Sequence, residues 1–297
     1  MAKEKKQKLC GKQGFDLYYL NEYGERWQNI KNSFNDENVY VQLKMGECKE
    51  YFLDPASLCA ALSLPLDKAH TIVDLCAAPG GKTLALALNK NDDSLLYANE
   101  RSSDRKRRLD QTILNSLDES VRKNIITSCS DAGLWCKKHN ECFDAILLDA
   151  PCSSERHVYL DSKYLQMWSE SRIKTIAMEQ WALLSSAFRL LAPGGYLLYS
   201  TCALASKEND LMIEKLTKKF NCLEIQTFDF IKESAINSLE KIKKYVSNKN
   251  DFSIDELFQK ADKTLFGFHI LPDKAWGAGP LYFSLIKKTS SIFEEKN

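Results

Sequence analysis

The chain has 297 residues, ten cysteines and a formal net charge of +1, with 44% hydrophobic and 27% charged residues. This suffices for one large α/β domain with a small appendage and argues against a strongly basic, non-specific nucleic-acid binder. No apolar run approaches the ~18 residues of a membrane span, the basic start MAKEKKQKLCGK lacks the apolar stretch of a secretory signal, and no CxxC pair supports a zinc ribbon. No metal site is expected, and the cysteine usage suits a reduced, cytoplasmic setting.

Residues 1–12 read as a flexible basic tail carrying Lys3, Lys5, Lys6, Lys8 and Lys12. Residues 13–34 read as helical, with Phe15, Tyr18, Tyr19, Trp27 and Ile30 as apolar contacts. A polar stretch with room for strands runs to Tyr51. At Asp54-Pro55-Ala56-Ser57 an acid can cap a helix and proline suits its first turn. Residues 13–70 thus form a small N-terminal extension.

From residue 71 the rhythm changes. TIVDLC, SLLYANE, NIITSCSD, FDAILLDAP, YLLYSTC and CLEIQTFDF read as six strands. Helices lie between them, among them a basic one carrying Arg101, Arg105, Lys106, Arg107 and Arg108, and a long amphipathic one over residues 170–192. A lysine-rich helical insertion spans 231–263, and GFHILPDKAWGAGPLYFSLIKK returns to strand-like alternation. This predicts a catalytic domain over 71–297 with a mainly parallel sheet and helices on both faces.

The turn AAPGGK sits between a strand and a helix, where glycines admit a ligand close to the backbone and the helix start offers free N–H donors. A Walker P-loop would need glycine at Cys76, and the GxGxxG spacing of a dinucleotide enzyme is absent. Glu100 ends the next strand, where an acid accepts hydrogen bonds from ribose hydroxyls. Asp131 ends the third, within reach of an adenine amine, and Asp149 ends the fourth. Four strand ends deliver polar groups to one crevice.

Two cysteines fall on that same edge: Cys152 in Asp149-Ala150-Pro151-Cys152, and Cys202 in Ser200-Thr201-Cys202. LCAAPGGKT, DAPCS and YSTC together resemble the motifs of the RsmB/NOP (Sun-domain, NSUN-like) family of RNA cytosine-C5 methyltransferases. The likeness runs from about Phe15 to GPLYFSLIKK, and the entry segment FDLYYLNEYGERWQNIKNSF is similar to the family's short-headed branch without NusB-like or PUA domains.

The resemblance implies a Rossmann-like class I fold with a seven-stranded sheet and S-adenosyl-L-methionine as cofactor. It implies Cys202 as nucleophile, Cys152 as the residue that helps release the product, and Asp149 as a contact to cytosine and to the methionine end of the cofactor. It implies Cys76, Gly80, Gly81, Lys82, Glu100, Arg105 and Asp131 as further cofactor-binding residues. Such chemistry needs a thiol because C5 of cytosine is a poor nucleophile until a thiolate adds to C6, and a free thiol near pKa ~8.5 is mostly protonated at neutral pH. The expected substrate is structured RNA, ribosomal first and transfer RNA second, with the base unstacked or flipped.

RNA selection then falls to the core surface, the 231–263 insertion or a partner protein, and the default state is a monomer. Ser153-Ser154-Glu155-Arg156-His157 follows Cys152, which puts Arg156 and His157 near the target base. Two competing readings are a cofactor-gated ribosome-assembly factor and the same chemistry on DNA. The second cysteine favours RNA, since DNA enzymes with a similar sheet use the Pro-Cys thiol alone.

Overall fold

The computed structural model describes residues 9–247 and 253–292. The tail lysines Lys3, Lys5, Lys6 and Lys8 and residues 248–252 of the 231–263 segment lie outside the described residues. The helices are α1 (Gly11–Tyr23), α2 (Trp27–Ser33), α3 (Pro55–Leu62), α4 (Gly81–Asn89), α5 (Ser103–Ser116), α6 (Glu119–Arg122), α7 (Glu155–Leu160), α8 (Ser162–Met167), α9 (Glu170–Leu190), α10 (Asp210–Lys219), α11 (Phe228–Ile242) and α12 (Ile254–Lys260). The strands are β1 (Val41–Leu43), β2 (Tyr51–Leu53), β3 (Thr71–Asp74), β4 (Leu95–Asn99), β5 (Ile125–Ser128), β6 (Phe143–Asp149), β7 (Leu191–Thr201), β8 (Leu223–Ile225), β9 (Val246–Ser247), β10 (Asp262–Lys263), β11 (Phe268–Ile270) and β12 (Leu281–Lys288).

The apolar β-branched runs form the centre of the main sheet. Five strands lie parallel in the order β5-β4-β3-β6-β7. Strand order reverses around β3, and in such sheets a crevice opens there over the carboxyl ends. β12 runs antiparallel to β7, and its outer edge takes β11 and β8, both antiparallel. The α/β class with helices on both faces is as expected, but among the described residues the sheet has nine strands rather than seven. β10 and β11 pair as a short hairpin on the β12 edge, β11 in the stretch read as strand-like and β10 at the end of the one read as helical, closed by Thr264 N–H donating to Gly267 O at 2.9 Å.

The stretch CLEIQTFDF supplies a strand only over Leu223–Ile225. The Thr227 side chain accepts the Phe230 N–H and starts α11, so Phe228 and Phe230 are helical. One face of the sheet is covered by α3, α4 and α11, with Leu58, Leu62, Leu84 and Ala235 buried. The other is covered by α9 and α10 through Leu184, Phe188 and Leu216. Each such leucine or phenylalanine contributes on the order of 2 kcal/mol relative to exposure.

A third apolar cluster joins the chain's start to the sheet's carboxyl edge. Phe15, Tyr19, Trp27, Ile30 and Phe34 from α1, α2 and the turn after them pack with Val158, Trp168 and Leu204. Phe15 meets Trp168 edge-on at 5.5 Å. The first helices therefore rest on the segments that follow Cys152 and Cys202. Behind them, β1 pairs with β2 and β9 in a separate three-stranded sheet.

Candidate active site

The turn between β3 and α4 is shaped by its glycines. Gly80 has φ +120°, and a Cβ there would lie 2.8 Å from Thr112 Cγ2. A Cβ on Gly81 would lie 2.7 Å from Leu53 Cδ1, so α4 starts hard against β2. Only glycine fits such a backbone and such an approach. Beside this turn is a cavity of about 720 Å³, whose lining includes Cys76, Lys82, Arg105, Asp149, Cys152 and Cys202.

The register of β6 and β7 explains why the two thiols meet. Asp149 pairs with Ser200, so the residues that follow each strand leave the sheet side by side. Cys152 Sγ and Cys202 Sγ are 2.6 Å apart, and both are free thiols. Ser154 Oγ lies 3.5 Å from the first sulfur and 3.3 Å from the second. The hydrogen bond to Cys202, reinforced by burial, raises the Cys152 thiol well above the ordinary range. Cys152 therefore keeps its proton at neutral pH.

The Asp149 carboxylate accepts from Lys82 Nζ at 2.7 Å and from Ser200 Oγ at 2.9 Å. Lys82 also donates to Ser57 Oγ at 3.1 Å. Burial works against the Lys82 ammonium, but Asp149, with the nearby Cys202 and Asp74, outweighs it and holds the pKa above the usual lysine value. A cation thus stands within electrostatic reach of Cys202.

Cys76 lines the cavity and stays a thiol, raised by burial and then by the charges of Asp74, Glu100 and Asp149. Glu100 is buried at the end of β4. Its Oε1 accepts the Ser102 N–H at 2.9 Å, while Oε2 has no hydrogen bond and faces Arg105 Nη1 at 3.3 Å. Arg105 also donates to Ala78 O at 2.7 Å. Asp131 is exposed, lies beyond the end of β5 and accepts the Gly133 N–H at 2.9 Å. It is not among the cavity's lining residues. The other basic side chains around α5 are largely answered by acids: Arg101 by Glu179, Lys106 by Asp110 and Arg107 by Asp104.

Arg156 and His157 both line the cavity, in different ways. The Arg156 guanidinium is taken up by backbone carbonyls, those of Gly277 at 2.7 Å, Gly279 at 3.0 Å, Asp36 at 3.0 Å and Phe34 at 3.4 Å. It is a clamp between three segments rather than a free base contact. His157 is exposed, with its ring 5.5 Å from that of Tyr164.

Several residues escape the sequence reading. Asp54 caps α3 as expected, accepting Ala56 and Ser57 N–H groups, but its Oδ2 also accepts the Gly279 N–H at 3.0 Å and it lines the cavity. Asp74 is buried below the glycine turn, hydrogen-bonded by Thr83 at 2.7 Å. Burial pushes its carboxyl up to about 7, against the Thr83 bond and with help from Asp149. Glu155 and Glu208 are buried behind the Cys152 loop. In the sequence, Asp54 signals only a cap, and nothing marks the two glutamates.

Residues 61–259 match a family model described as 16S rRNA methyltransferase RsmB/F. The chain is 42% identical over 153 residues to a ribosomal RNA small subunit methyltransferase F of Aeromonas salmonicida, covering 50% of this chain and 30% of that protein. It is 30% identical over 246 residues to a mitochondrial tRNA (cytosine(34)-C(5))-methyltransferase of Danio rerio, covering 82% of this chain and 62% of that protein. The chain thus spans less than two thirds of the length of either relative. A methyltransferase homolog protein from Pyrococcus horikoshii shares the fold, with TM-score 0.63, 20% identity, and coverage of 91% of this chain and 93% of that one.

Proposed function

The chain belongs to the 16S rRNA methyltransferase RsmB/F family, and on that footing we propose that it methylates C5 of a cytosine in structured RNA, with S-adenosyl-L-methionine as donor. The observation that carries this reading is the meeting of Cys152 and Cys202 at 2.6 Å in one cavity with the Asp149–Lys82 ion pair.

The buried edge of the glycine turn suits the donor. Glu100 Oε2 is buried without a hydrogen bond, which fits a ribose hydroxyl. Cys76, Lys82, Arg105 and Asp149 would line the rest, Gly81 would set the start of α4 behind them, and Asp131 would reach an adenine from outside the cavity. When bound, this cofactor supplies a methyl group as a sulfonium electrophile.

Cys202 adds to C6, forming the S–C6 bond and making C5 nucleophilic, with Lys82 favouring the thiolate by its charge. Asp149 contacts the pyrimidine on its N3 side. C5 then takes the methyl group, its proton passes to solvent, and the electron pair of that C–H bond expels Cys202 as a thiolate, breaking the S–C6 bond and freeing the product. Cys152, which holds a proton beside Cys202, is assigned to that release.

The test uses labelled methyl donor and small-subunit ribosomal RNA. Label should enter as 5-methylcytosine, Cys152→Ala should accumulate a covalent RNA adduct, and Cys202→Ala should form none. The opposite adduct pattern would exchange the two roles, and no transfer to any RNA would defeat the reading. Transfer RNA is the second substrate reading, favoured by the longer alignment to the Danio rerio protein. RNA selection is assigned to this chain's own surface or to a partner protein. Among the described residues no helix is long and apolar enough to cross a membrane.

A further inference from the structure

Behind the two thiols, Ser153 Oγ stands between two buried carboxyls. It contacts Glu155 Oε1 and lies 2.5 Å from Glu208 Oε1. Glu155 Oε1 also accepts from the Tyr19 hydroxyl, and its Oε2 accepts the Leu204 N–H at 3.0 Å. Glu208 Oε2 accepts the Ser153 N–H at 3.0 Å and Gln180 Nε2 at 2.8 Å. Both glutamates are fully buried, at 0% exposure.

A hydroxyl carries one hydrogen, so Ser153 can donate to only one of these two oxygens. With both glutamates ionised, one close oxygen–oxygen contact would hold no hydrogen. A single added proton completes the chain, with Glu208 Oε1–H donating to Ser153 Oγ and Ser153 O–H donating to Glu155 Oε1. The surroundings support that proton. Tyr18, Tyr19 and Tyr23 approach from α1, Tyr199 from β7, Gln180 from α9 and Cys152 from its own loop. Among the described residues no lysine or arginine pairs with either carboxyl. Lys207, adjacent to Glu208, is turned to Glu170 at 3.1 Å. Burial, and then the charge of Glu155, raises Glu208 to about 8.

The pair is tied to both thiol loops. Ser153 follows Cys152 directly, and Leu204 lies two residues after Cys202. We propose that Glu155 and Glu208 form a one-proton carboxyl pair, bridged by Ser153, that holds the Cys152 and Cys202 loops together and sets an alkaline limit on methyl transfer. Loss of the proton to solvent leaves two buried anions on one hydroxyl, which drives the loops apart and adds negative charge beside Cys152. Glu208 is a positioning residue, acting through Ser153. The inference rests on the methyltransferase reading for its functional half alone.

The test compares the full chain with Glu208→Gln, whose amide can donate to Ser153 Oγ without titrating. Infrared spectra are recorded from acid to alkaline pH, and the variant's are subtracted so that other buried acids cancel. The expected difference is a carboxylic-acid carbonyl band that persists at neutral pH and disappears at mildly alkaline pH. A difference spectrum without that band overturns the shared proton.

Methyl transfer at saturating RNA is then followed over the same range, each protein scaled to its own neutral rate. The wild-type kcat should fall about tenfold per pH unit beyond the limit, and the variant should show no such limb. Superimposed profiles overturn the positioning role. A chain that shows the band yet methylates no RNA at any pH refutes the methyl-transfer reading and the alkaline limit with it, while the one-proton pair stands.

Discussion

Lys82 Nζ lies 2.7 Å from Asp149 Oδ2, and the same ammonium interacts electrostatically with Cys202. One cation thus serves a carboxylate and a thiol that leave two neighbouring strands. The sequence alone assigns Lys82 to the cofactor, whereas its side chain is held by Asp149 and Ser57. Lys82→Met should therefore weaken more than cofactor affinity. Methyl transfer should drop by on the order of 100-fold. Single-turnover rates at saturating donor check this.

Arg156 spends its guanidinium on four carbonyls from the turn after α2 and the loop before β12. Arg156→Lys cannot reproduce that fork. It should cost about 1–3 kcal/mol of stability, the usual worth of a hydrogen bond from a charged donor, as read from the urea midpoint.

Asp54 joins the start of α3 to Gly279 through its two oxygens. Asp54→Ala should lose the cap, worth about 0.5–2 kcal/mol, and release the Gly279 N–H. Amide hydrogen exchange should speed up at residues 277–281 while the central strands stay protected. Unchanged exchange there would show that Asp54 acts on α3 alone.

Glu208 also leaves a mark on stability. Its carboxyl moves from the ordinary 4.5 to about 8 in the folded chain. Between those values the folded state holds a proton that the unfolded state has released, so stability falls as pH rises through this window. Glu208→Gln removes the proton difference. Its denaturation free energy, compared with wild type, should gain on the order of a few kcal/mol between mildly acidic and alkaline pH. A constant difference across that range would contradict the raised value.

What the sequence reveals follows the range of the interactions. Cys152, Cys202, Asp149 and Cys76 end or follow apolar strands, and parallel pairing alone carries them to one edge, so their convergence can be read from local pattern. Glu100 is legible for the same reason. Arg156 is not, because its partners lie more than a hundred positions away in the chain, at separations of 121 residues to Gly277 and 122 to Phe34. The second role of Asp54 depends on a contact across 225 residues. Glu208 reads as one more acid in a polar helix start, since its neighbour Glu155 arrives from the start of α7, 53 residues earlier in the chain. The strand count failed at β10, a two-residue strand at the end of the stretch read as a helical insertion and too short to show a periodicity.

The Arg156 clamp also bears on the order in which the molecule assembles. β3, β4 and β5 join through short, successive crossovers, contacts of the kind that form early in folding. The clamp waits for Gly277 and Gly279, made 121 and 123 residues after Arg156. A polypeptide still emerging from the ribosome can organise the edge that carries Glu100 well before it can close the chamber around its thiols. The chamber around the thiols therefore closes only after the strands of the parallel sheet have been made.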